Sequence, residues 1–186
     1  MIELYLVRHG ETEENVAGIL QGHLPGRLTA AGVCQAEALR DALAGVTFDA
    51  LVVSDLARTV ATAEVLNGRR GLPVDLCPLL RERDWGSLTG RRIAEVRGTA
   101  FPPDVESVEA LFDRARRFLA YLLSRYDGQR VLAVGHGLFN RCIVAVLSGR
   151  SIADIPRWGN AEVRRVCVAA RPDGSPQSAE IGATAD

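Results

Sequence analysis

The stretch Ile2-Glu3-Leu4-Tyr5-Leu6-Val7-Arg8-His9-Gly10-Glu11-Thr12 carries an apolar strand straight into a polar turn. Far downstream a second apolar strand, Val131 to Val134, runs into Gly135-His136-Gly137. Two histidines therefore stand just past the carboxyl ends of buried strands, each followed by glycine. Ligand crevices of α/β sheets lie at such strand ends, and imidazole suits nucleophilic and proton-transfer work near neutral pH. With Arg8 beside the first histidine, the expected target is an anionic phosphoryl group.

Outward from these two strands the pattern alternates. A glycine-containing loop, Gly18 to Leu28, leads to Thr29, which reads as the N-cap of a helix to about Ala44 with Val33, Ala36, Leu39, Ala42 and Leu43 on its apolar face. Ala50 to Val53 reads as a short buried strand, Leu56 to Leu66 as a helix ended by Asn67-Gly68, and Val74 to Leu76 as a weaker strand closed by Pro78. From Ser107 to about Arg125, Val108, Leu111, Phe112, Ala115, Leu119 and Leu122 keep the spacing of one buried helical face. Leu138 to Leu147 reads as a helix and Glu162 to Ala169 as a further strand. Such alternation predicts an α/β fold, a three-layer sandwich with a mostly parallel central sheet and helices on both faces. From Arg171 onward the composition turns to Pro, Gly, Ser and Asp, so a domain over residues 1–170 is expected to end in a loosely ordered tail, 171–186.

Composition narrows the function. Hydrophobic residues make up 47% and charged residues 24%, ordinary for a globular protein of 186 residues. The net charge of −1 argues against a nucleic-acid or membrane-surface binder. All 22 basic residues are arginine, which excludes Schiff-base and P-loop lysine chemistry. Cysteines 34, 77, 142 and 167 follow no common zinc spacing. Met1 leads directly into a strand containing Glu3, unlike a signal peptide, and no apolar run approaches the ~20 residues that span a bilayer. The expected address is the cytoplasm. No heptad or large apolar stripe specifies an oligomer, and a homodimer stays open.

The motifs resemble a known family. Arg8-His9-Gly10-Glu11-Thr12 with Asn15 is similar to the signature of the histidine phosphatase superfamily, the phosphoglycerate-mutase-like fold. The run from Ser54 to Ala63 resembles its second arginine motif, Leu80-Arg81-Glu82 followed by Gly86 its acidic motif, and Gly135-His136-Gly137 its second histidine. The four stand in the expected order.

The resemblance implies a metal-independent and cofactor-free phosphomonoesterase acting on a small phosphorylated metabolite. His9 would be the nucleophile that forms a phosphohistidine. Arg8, Arg58 and a protonated His136 would clamp the phosphoryl group, and Glu82 would donate a proton to the leaving oxygen, with Asp84 as runner-up. Asn15, Thr12, Gln21, Gly22, Trp85 and Gly137 would contact substrate. An arginine in the first turn of a helix ordinarily faces solvent; the place of Arg58 four residues after Ser54 favours the functional reading.

The chain also departs from the family pattern. The loop Gln21 to Thr29 lacks the common aspartate before its proline, Pro25, and the common proline before Leu28-Thr29, and Pro103-Asp104-Val105-Glu106-Ser107 keeps only Glu-Ser of the usual Gly-Gly-Glu-Ser. Three functions remain: the phosphatase, resembling short bacterial broad-specificity and α-ribazole-phosphate phosphatases; a phosphoglycerate-mutase-type isomerase; and a catalytically silent binder of phosphorylated ligands. Only Arg91 to Glu106 lies between the acidic motif and the long helix, too little for a full lid, and this favours hydrolysis over isomerisation.

Overall fold

A computed structural model describes residues 1–181. Its six strands are β1 (Ile2–Arg8), β2 (Ala50–Val53), β3 (Val74–Leu76), β4 (Arg130–Gly135), β5 (Val163–Ala170) and β6 (Pro176–Ile181), in the order β3-β2-β4-β1-β5-β6. The first four in that order run parallel, and β5 and β6 pair antiparallel at the other edge. The helices are α1 (Glu13–Val16), α2 (Ala30–Ala42), α3 (Ala57–Asn67), α4 (Ile93–Val96), α5 (Val108–Tyr126) and α6 (Gly137–Ser148). Among the described residues no helix is long and apolar enough to cross a membrane.

The strand period of two builds a core on each face. Leu4, Leu6, Val52 and Ala133 point into a cluster with Phe118 and Leu119 of α5 and Phe139 and Ile143 of α6. Val7, Leu51, Val53, Leu132 and Val134 point the other way, against Leu39 of α2 and Ala63 and Leu66 of α3. Full burial of each large apolar side chain contributes roughly 1.5–3 kcal/mol before ordering costs. Along α5 the buried face is Leu111, Ala115, Phe118, Leu119 and Leu122; Val108, expected inside, lies in the first turn and is exposed. Side-chain caps start the helices where expected: Thr29 Oγ1 accepts from Gly32 N at 2.9 Å, and Ser107 Oγ accepts from Ala110 N at 3.1 Å.

Strand register positions the site. Arg8 lies opposite Gly135, and Val53 lies opposite Val134. The next residues, His9, His136 and Ser54, consequently emerge side by side at one edge of the sheet.

The chain beyond Arg171 departs from expectation. Pro176–Ile181 forms β6 on the edge of β5, with Ala170 opposite Pro176 and Val168 opposite Ser178. Asp173-Gly174 makes the turn: Gly174 has φ +80, and Ser175 N donates to Asp173 Oδ1 at 2.9 Å. A Pro/Gly/Ser composition hides this hairpin, which depends on the unpaired edge of β5 rather than on apolar patterning. Residues 182–186 of the expected tail lie outside the described residues.

Candidate active site

His9 is nearly inaccessible, at 3% exposure, on the turn that leaves β1. Its Nδ1 lies 2.7 Å from the Gly10 carbonyl oxygen. A carbonyl can only accept, so Nδ1 carries the hydrogen and Nε2 keeps its lone pair. Burial, with the charges of Arg58 and Arg8 adding to it, holds the ring well below the usual histidine range despite the opposing Gly10 bond. The turn itself is clamped by backbone. Gly10 N donates to Thr62 Oγ1, and a Cβ on Gly10 would meet Gly32 O at 2.4 Å. The first turn of α2 therefore lies directly on the nucleophile's loop.

Arg58, at the second position of α3, is the largest fully buried side chain among the described residues. Its Nη1 donates to Leu24 O at 2.5 Å, and its Nη2 donates to Gly22 O at 2.8 Å and to His136 Nδ1 at 3.1 Å. Burial pushes the guanidinium down to about 10. Because a guanidinium has no acceptor, His136 Nδ1 must be unprotonated, and His136 Nε2–H donates to Ser54 Oγ at 2.9 Å. Burial first, and then the Arg58 charge, hold His136 well below its usual range. The expected protonated imidazole is thus corrected: His136 is neutral, because a buried ring beside a fixed guanidinium has no counter-charge. The His9 and His136 rings face each other edge-on, with centroids 5.4 Å apart.

Arg8 donates from Nη1 to Trp158 O at 2.7 Å. Gly137 lies flat against it: a Cβ there would sit 3.2 Å from Arg8 Nε. Asn15 accepts at Oδ1 from Thr12 N at 3.2 Å and from Asn160 Nδ2 at 3.1 Å, leaving its own Nδ2 as the donor. Thr12 does not line the site. It is fully buried, and its Oγ1 accepts from Asn15 N at 3.1 Å as the cap of α1. A capping box, not a substrate contact, is its work.

Glu82 seats both oxygens on backbone amides. Oε1 accepts from Arg83 N at 2.9 Å and from Phe139 N at 3.2 Å, and Oε2 accepts from Leu138 N at 3.2 Å. The carboxylate thereby caps α6, the helix that His136 begins. Asp84 lines a separate cleft with His23, Arg81 and Glu106. Glu106 instead pairs with Arg114 at 2.7 Å, and Arg114 binds the carbonyls of Leu79, Arg81 and Glu82. The retained Glu-Ser thus buttresses the Glu82 loop and caps α5.

Arg8, His9, Arg58, Glu82, Asn15, Gln21, Gly22, Trp85 and Gly137 line one cavity of about 350 Å³. His136 lies behind it, bonded to Arg58. The sequence reading missed Arg141, Arg157 and Trp158, which line the same cavity. They come from α6 and the segment before β5, where no local motif marks them. Among the described residues no group of three or more His, Cys, Asp or Glu side chains is arranged to hold a metal ion.

A family model described as the histidine phosphatase superfamily (branch 1) matches residues 4–181. The chain belongs to the histidine phosphatase superfamily. Within it, the chain is 35% identical over 188 residues to "Probable phosphoglycerate mutase GpmB" of Citrobacter koseri, covering 93% of this chain and 85% of that one. It is 34% identical over 162 residues to the adenosylcobalamin/alpha-ribazole phosphatase of Escherichia coli, covering 80% of each. The solved structure of Bacillus stearothermophilus YhfR superposes with a TM-score of 0.87 at 27% identity, covering 100% of this chain and 98% of that one. The mostly parallel sheet expected of a histidine phosphatase fold is the one present here.

Proposed function

We propose that this protein is a phosphomonoesterase that works through a phosphohistidine on His9, with a small phosphorylated metabolite as substrate. The observation that carries the reading is the 2.7 Å contact between His9 Nδ1 and Gly10 O, which leaves Nε2 unprotonated beside two guanidinium groups. The Nε2 lone pair attacks phosphorus, and the bond to the leaving oxygen breaks with its electron pair going to that oxygen. Arg8, Arg58 and Asn15 Nδ2–H hold the equatorial oxygens, where phosphoryl transfer needs positioning and positive charge. Glu82 gives a proton to the leaving oxygen and then takes one from the attacking water as the N–P bond breaks. Its Oε2 has one amide partner where Oε1 has two, so Oε2 is the oxygen with room for the transferred proton.

The test is phosphate release from a panel of phosphomonoesters with chelator present, together with trapping of the intermediate. Acid-labile, base-stable phosphate should attach to His9 and disappear in His9→Ala. A strict Mg²⁺ requirement, or label on a serine or aspartate, would overturn the reading. The GpmB relative keeps a mutase in view. Against it, only α4 and one 3-10 turn, Gly86–Leu88, lie between Glu82 and Glu106. Conversion of 3-phosphoglycerate to its isomer faster than release of phosphate would decide for the mutase.

A further inference from the structure

The cavity carries more positive charge than one phosphoryl group needs. Four arginines line it, Arg8, Arg58, Arg141 and Arg157, against a single carboxylate, Glu82. Two of the four lie outside the clamp. Arg141 is anchored by its Nε on Ile155 O at 2.9 Å and its Nη2 on Ile152 O at 2.6 Å, which leaves Nη1 uncommitted. Arg157 is exposed, and its side chain makes no hydrogen bond or ion pair among the described residues. The two cations are close enough to disfavour each other's charge: after burial, Arg157 is the largest influence lowering Arg141. Like charges held together without a carboxylate between them are a cost that an anionic ligand would remove.

A second observation comes from Trp158, which also lines the cavity. The indole is 3% exposed and stacked on Arg164, with the guanidinium 3.8 Å from the ring centroid. The Trp158 carbonyl meanwhile accepts from Arg8, so one short segment joins the phosphoryl clamp to the two spare cations.

We propose that Arg141 and Arg157 form a second anion subsite, which selects phosphomonoesters whose leaving group carries a further acidic group, carboxylate or phosphate. This rests on the phosphatase reading for the same cavity and names its substrate class. The subsite takes the far end of the leaving group, and Ile19, Leu20 and Trp85 give the same cavity apolar wall.

The decisive comparison is kcat/KM for 3-phosphonooxypropanoate against propyl phosphate, with propane-1,3-diyl bisphosphate as a third arm to separate carboxylate from phosphate. Wild type should prefer an acid-bearing substrate at least tenfold. In Arg157→Gln that preference should shrink about tenfold, mainly through KM, as expected for one lost charged contact. Arg117→Gln, an exposed arginine on α5, serves as the control and should leave the ratio where it was. A wild-type ratio near one, or a ratio indifferent to Arg157→Gln, overturns the subsite. Should no substrate turn over, the phosphatase reading fails and calorimetry decides the subsite alone. Tighter binding of 3-phosphonopropionate than of propylphosphonate, lost in Arg157→Gln, supports it; equal binding overturns it.

Discussion

Arg58 reaches from the first turn of α3 to donate to His136 Nδ1 at 3.1 Å, and so fixes which nitrogen of that buried ring holds its hydrogen. The opposite nitrogen donates to Ser54 Oγ, so β2, α3 and β4 all meet at one imidazole. His136 is therefore a neutral link that orients the guanidinium behind the cavity. His9, its edge-on neighbour, is kept neutral by the same causes, burial first and Arg58 next.

Two histidines held neutral make stability depend on pH. Unfolded, each titrates near pH 6.5; folded, each resists protonation to well below that. Above about pH 6.5 both states carry neutral rings and the contribution is complete. Below it the unfolded chain binds protons that the folded chain refuses, so stability is lost as pH falls towards the folded values. The urea midpoint should drop between pH 7 and pH 5.5. In a His9→Asn, His136→Asn double variant the same interval should be flatter; an equal slope would assign the loss to other groups.

Ser54→Ala removes the acceptor of His136 Nε2–H without touching the cavity wall. The ring is then free to turn, and Arg58 loses a fixed partner. Loss of one buried hydrogen bond is worth about 1 kcal/mol and the orphaned donor somewhat more, so kcat should fall about tenfold. A pH profile separates positioning from mere destabilisation: its acid limb should shift, because His136 is no longer held in one tautomer. A variant with less folded protein but an unchanged profile would reduce Ser54 to a packing residue.

Glu82 has two jobs that substitutions can split. Glu82→Gln keeps an oxygen to cap α6 but cannot exchange a proton with leaving oxygen or water. Its kcat/KM on alkyl phosphates, which reports the first transfer alone, should fall about 10²–10⁴-fold, and much less on p-nitrophenyl phosphate, whose leaving group needs no proton. Its Tm should fall less than that of Glu82→Ala, because one oxygen still accepts while the new amide NH2 faces a backbone N–H. Glu82→Ala loses the cap as well and should cost about 1 kcal/mol of stability. Equal losses of kcat/KM on both substrates in Glu82→Gln would remove it from the proton path to the leaving oxygen.

What the sequence disclosed follows from how local each signal is. Strands that end in Arg8-His9-Gly10 and Gly135-His136-Gly137 are short-range patterns, and the sheet they imply was legible. Arg58 was legible only through its spacing from Ser54, since nothing local says that a helix arginine will be fully buried. Thr12 was ambiguous because cap and ligand donor use the same hydroxyl. Arg141, Arg157 and Trp158 reach the cavity only through the packing of α6 and the turn before β5, a long-range arrangement that no spacing records. The β6 hairpin was hidden for a related reason: its stabilising partner is the backbone edge of β5, which has no sequence signature.

The close approach of Gly32 to the nucleophile's loop supplies the sharpest steric test. A Cβ at Gly32 would lie 2.1 Å from Glu11 O and 2.8 Å from Glu11 N, both backbone atoms with little room to move. Alanine favours helix over glycine by about 1 kcal/mol, so on propensity alone Gly32→Ala would stabilise α2. Here the clash must push α2 and the His9 turn apart, straining the Thr29 N bond to Glu11 O at 3.0 Å and the Thr29 Oγ1 bond to Glu11 Oε1 at 2.8 Å. Overpacking of this kind costs about 1–3 kcal/mol, enough to outweigh the propensity gain. Gly32→Ala should therefore lower the Tm by several degrees and reduce kcat together, as His9 loses its fixed place. Ala31→Gly, the neighbouring exposed position, measures the propensity term alone; a Gly32→Ala protein more stable than wild type would mean that the loop carrying His9 yields without strain.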